Sequence, residues 1–74
     1  MMTQTIHAAK IIDRGDTFWF ASLDGQTWVE VNIDPRGASP EQIQGVLDGN
    51  GRMKPMTMAL RFLQHRGAEF LKEG

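Results

Sequence analysis

A chain of 74 residues, 41% apolar and without cysteine, has room for one domain with a thin core and excludes disulfides and thiolate zinc sites. Two histidines are too few for most histidine metal sites, so no metal or other cofactor is expected. The net charge of −1 is unevenly spread: residues 1–50 carry three Lys/Arg against seven Asp/Glu, and residues 51–74 five against two, an imbalance that suggests a basic face in the last third.

Met1-Met2-Thr3-Gln4-Thr5 lacks the charged and apolar regions of a signal peptide, and the apolar runs fall far short of a membrane span. The expectation is a cytoplasmic protein with no membrane partner, with residues 1–74 as a single α+β domain. Its predicted architecture is a three-stranded antiparallel sheet followed by two helices packed on one face.

The first strand spans about residues 4–13, with Asp13-Arg14-Gly15-Asp16 as its turn. Arg14-Gly15-Asp16 spells an adhesion tripeptide, but without a secretion signal it reads as turn chemistry. The second strand spans about 16–23 and the third about 26–33. Both are rich in the aromatic and β-branched residues that suit a pleated surface. Asp24-Gly25 between them signals a two-residue type I′ hairpin. That turn sets Ala21 opposite Trp28 and Phe20 opposite Val29. One face then carries Phe18, Phe20, Val29 and Val31 toward the helices. The other carries Trp19, Ala21, Leu23, Trp28 and Glu30, with the two indoles as diagonal neighbours.

Asp34-Pro35-Arg36-Gly37 ends the sheet with turn residues. Ser39-Pro40-Glu41-Gln42 has the spacing of a capping box and opens a helix over about 40–48, with Ile43, Val46 and Leu47 as its apolar stripe. Gly49-Asn50-Gly51 stops it; the glycines before Arg52 and Lys54 do not match a phosphate-binding loop. A second helix is predicted over about 55–72. Met56, Ala59, Leu60, Leu63, Gly67 and Phe70 fall on one side of it, and Lys54, Arg61, His65 and Lys72 on the other. Gly67 opposes that reading, since glycine costs a helix interior about 1 kcal/mol. The alternative has the helix end at Arg66 and residues 68–71 return as a fourth strand.

No nucleophile stands beside a base in any motif, and the aspartates read as turn formers, so no catalytic residue is assigned. Two surfaces remain. The tryptophan face offers Trp19, Trp28 and Leu23, because tryptophan buries much area with few rotors. The basic helix offers Arg52, Lys54, Arg61, His65 and Lys72, with Arg66 beside them and Met58 and Phe62 at its margin. The leading expectation is a non-enzymatic protein-binding module, homodimeric or acting as an inhibitor or modulator of the phage or mobile-element kind. The alternative is a small nucleic-acid-binding regulator using the basic helix, weakened by the acidic first fifty residues.

Overall fold

The computed structural model describes residues 5–49 and 53–71. Its first hairpin joins β1 (His7–Asp13) to β2 (Asp16–Ser22) through Arg14-Gly15, with Asp13 opposite Asp16 and His7 opposite Ser22. Both turn residues have positive φ, 54° and 86°, the requirement of a two-residue primed turn.

The second hairpin differs from the expected one. Strand β3 (Thr27–Val31) pairs with β2 so that Ser22 faces Trp28, Ala21 faces Val29 and Phe20 faces Glu30, one residue away from the predicted register. The cause is local side-chain chemistry. The Ser22 hydroxyl accepts from the backbone N–H of Gly25 at 2.8 Å and donates to Asp24 Oδ1 at 3.0 Å. That same Oδ1 accepts from the N–H groups of Gln26 at 2.8 Å and Thr27 at 2.9 Å. These bonds hold a four-residue loop over 23–26 in which Gly25 takes positive φ (78°) and Asp24 does not, so a type I′ turn cannot form there. A one-residue slip exchanges the faces of a strand.

Beyond β3 the Asp34 side chain accepts from the Arg36 N–H at 3.0 Å and opens a single 3₁₀ turn, Pro35–Gly37, which buries Pro35. The capping box at Ser39 forms in full: Ser39 Oγ accepts from the Gln42 N–H and the Gln42 side chain accepts from the Ser39 N–H. Helix α1 (Pro40–Asp48) buries Ile43.

The predicted helix over 55–72 is replaced by three elements: strand β4 (Thr57–Ala59), helix α2 (Leu60–His65) and strand β5 (Glu69–Leu71). A helix in a protein is held mainly by tertiary packing rather than by propensity, and here two strand edges compete for its backbone. Thr57–Ala59 pairs with β3, and the Leu60 N–H donates to Gln26 O at 2.9 Å. At the other end Gly67 adopts φ 77°, its N–H donating to Gln64 O and the Ala68 N–H to Leu63 O, a Schellman termination. Residues 69–71 then pair with β1. The strand alternative after Gly67 is the one the fold adopts.

Among the described residues the sheet therefore has five strands rather than three, in the order β4-β3-β2-β1-β5, all neighbours antiparallel. The helices also do not share a face. Phe20 and Ala21 are adjacent on β2 and point to opposite sides. Phe20 clusters with Ala9, Trp28 and Leu63 of α2, whereas Ala21 clusters with Ile6 and Ile43 of α1. The first face, carrying Ala9, Ile11, Phe18, Phe20, Trp28 and Glu30, lies under α2; the second, carrying Ala8, Lys10, Trp19, Ala21 and Val29, lies under α1 and the Pro35 turn. Among the described residues no helix is long and apolar enough to cross a membrane.

Candidate functional site

Helix α2 has six residues and is thus about 9 Å long. Five strands span roughly 19 Å from edge to edge. A helix of that length covers the middle of the first face, where Leu63 is fully buried against Ala9, Phe20 and Trp28, and leaves the end toward the Arg14-Gly15 turn open. A groove of about 450 Å³ lies there. Ile11, Phe18 and Phe20 line it from β1 and β2, Met58 from β4 and Phe62 from α2, and the exposed Ile12, Asp13, Glu30 and Arg66 complete its lining. Phe18 is 39% exposed and Phe62 44% exposed. The Arg66 guanidinium rests over the Phe62 ring, 5.5 Å from its centroid. Asp13 and Glu30 are exposed; among the described residues neither joins an ion pair, and the ion pair that forms joins Arg36 to Asp34, away from the groove.

Chemically the groove can hold apolar side chains against three aromatic rings and meet a cation at Glu30 and Asp13. Its described lining offers two carboxylates and a guanidinium, and no hydroxyl, thiol or imidazole. Among the described residues no group of His, Asp and Glu is arranged to hold a metal ion.

The tryptophan face is not formed. The shifted register of β2 and β3 puts the indoles on opposite sides of the sheet. Trp28 is 2% exposed, its Nε1 donates to Gly25 O at 3.1 Å, and its ring meets the edges of His7 and Phe70 at centroid distances of 6.3 and 5.6 Å. It is a core residue. Trp19 lies half-buried on the second face, with Lys10 Nζ 5.9 Å from the ring centroid. Leu23 sits in the loop and packs against the Ile6, Ala21 and Ile43 cluster.

The basic stripe is not formed as a continuous line either, because the helix that would carry it stops at His65. Lys54 precedes β4 outside any helix or strand, and Arg61 and His65 are exposed one turn apart on α2. Arg52 and Lys72 lie outside the described residues.

Sequence reasoning missed Ile11, Phe18 and Glu30 as groove residues, since the expected register put Phe18 and Glu30 on different faces. Met58 and Phe62, expected at the margin of one long helix, instead line the groove from β4 and α2. The available signal was the number of large apolar residues between 56 and 63, more than a single helix stripe can bury. No protein-family model, curated protein sequence or solved structure matches the chain.

Proposed function

We propose that this protein is a non-enzymatic contact module that buries the first-face groove against another polypeptide. The observation that carries the reading is the convergence of Phe18, Met58 and Phe62 from three separate elements around one recess, with both charge signs at its rim. Interfaces concentrate their energy in such a pattern: aromatic anchors inside, polar groups around them. Methionine beside the rings lets the surface adapt to its occupant. The chemistry of the lining supports binding rather than turnover, since it supplies no activated nucleophile.

Affinity capture with the full chain as bait, repeated with Phe62→Asp and with Trp19→Ala, tests the reading. A partner held by the wild type should be lost with Phe62→Asp, by at least about thirtyfold in Kd for a central aromatic anchor, and kept with Trp19→Ala. Retention indifferent to Phe62, or a partner bound with a steep salt dependence through Arg61 and His65, would move the working surface elsewhere.

A further inference from the structure

We infer that the occupant of the groove is a second copy of this chain, which inserts the segment Met53-Lys54-Pro55-Met56. The inference rests on the groove being a protein-contact surface and names its partner. Met53 is 92% exposed and Met56 84% exposed, on a stretch of chain that joins neither a helix nor the sheet. Two unbranched thioether side chains flank an exposed lysine there. Their chemical complement is a recess lined by aromatic rings and edged by free carboxylates: thioethers are attracted to ring edges, and an ammonium to Glu30 and Asp13. The groove is such a recess, with Phe18 and Phe62 in its lining.

Position favours reciprocity. The segment leads directly into β4, whose Met58 lines the groove and lies opposite Trp28, so a continued pairing would place Met56 beside Glu30. Segment and groove are therefore neighbours on one side of the molecule. One two-fold axis near Glu30 lets each copy lay its segment across the other's groove, which closes the assembly as a dimer instead of an open chain. Among the described residues neither Lys54 nor Glu30 joins an ion pair, which leaves both to pair between copies.

Two charge reversals test this. In a two-fold dimer Glu30→Lys alone opposes lysine to lysine, and Lys54→Glu alone opposes carboxylate to carboxylate. A mixture of the two variants restores both pairs at once. Sedimentation equilibrium on the full chain from about 1 μM to about 1 mM should show a wild-type dimer. Each variant alone should dimerise at least about tenfold more weakly, and the equimolar mixture should return to wild-type strength as a mixed dimer. Met53→Ser with Met56→Ser should also weaken the wild-type dimer. Both charged positions are exposed, and matching far-UV circular dichroism will show that the variants fold. A dimer indifferent to both reversals, or a mixture that stays monomeric, overturns the assignment. A wild type that is monomeric throughout overturns it too. In that case the capture of a different polypeptide, lost with Phe62→Asp, would show the contact surface surviving without self-association.

Discussion

Ser22 is a buried hydroxyl in an otherwise apolar part of the sheet, and its hydrogen bonds determine where the second hairpin turns. Ser22→Ala would leave the Gly25 N–H without its acceptor, at a cost of about 1–3 kcal/mol, read as a lower midpoint in urea at unchanged m. Asp24 is the other half of the same device. Hydrogen bonds from the Thr27 and Gln26 N–H groups, then from Ser22, hold its carboxyl below the usual aspartate value of 3.8. The carboxylate form is therefore the one the fold favours. The stability it contributes is fully present above pH 3.8 and is lost as pH falls through the lowered folded value. Asp34 acts with the same sign, its carboxyl lowered chiefly by the Arg36 side chain. Acid titration followed by tryptophan fluorescence should thus show stability declining below about pH 4. Asp24→Asn should flatten that decline while lowering stability at neutral pH.

At the scale of elements, the sequence discloses its short-range chemistry and conceals its competitions. The Asp13–Asp16 turn and the Ser39 capping box follow from contacts within a few residues, and each is legible without knowing the rest of the chain. The register of β2 and β3 is not, because Asp-Gly supports either a primed turn or a side-chain-bonded loop, and the choice falls to Ser22, which sits outside the dipeptide. The stretch from 55 to 72 conceals its structure for a different reason. Its helical periodicity holds, yet an open edge on β3 and another on β1 draw residues 57–59 and 69–71 into extended chain. The groove was hidden with them, since it exists only because α2 is cut short. Gly67 carries the clearest test at this scale. It takes φ 77° with open space where a β-carbon would stand, so Gly67→Ala meets no steric neighbour and is opposed by the strain of an L side chain at that φ. A loss of about 1 kcal/mol is expected by denaturant unfolding. A gain would mean that the helix runs on.

The molecule as a whole, 37 × 30 × 21 Å, is a single sheet with one thin helical layer on each side. Leu63 is the side chain of α2 that locks the first-face layer, fully buried among Ala9, Phe20 and Trp28. Leu63→Ala should cost about 2–5 kcal/mol. A domain of this size has a net stability of only about 3–5 kcal/mol. The variant should lose its cooperative thermal transition by circular dichroism, whereas Phe62→Ala one position earlier should retain it.

The two outermost strands and the helix between them all come from residues 57–71, so one late stretch of chain works as a clasp over a meander of three strands. While the polypeptide emerges from the ribosome, that meander can form early, because its contacts are local. Until the clasp arrives, it presents Phe20 and Trp28 to water and leaves the hydrogen-bonding groups of both flanks unoccupied, the condition in which sheets recruit one another. A polypeptide cut after Pro55 should accordingly precipitate or form fibrils, and supplying residues 56–71 as a separate peptide during refolding should rescue it.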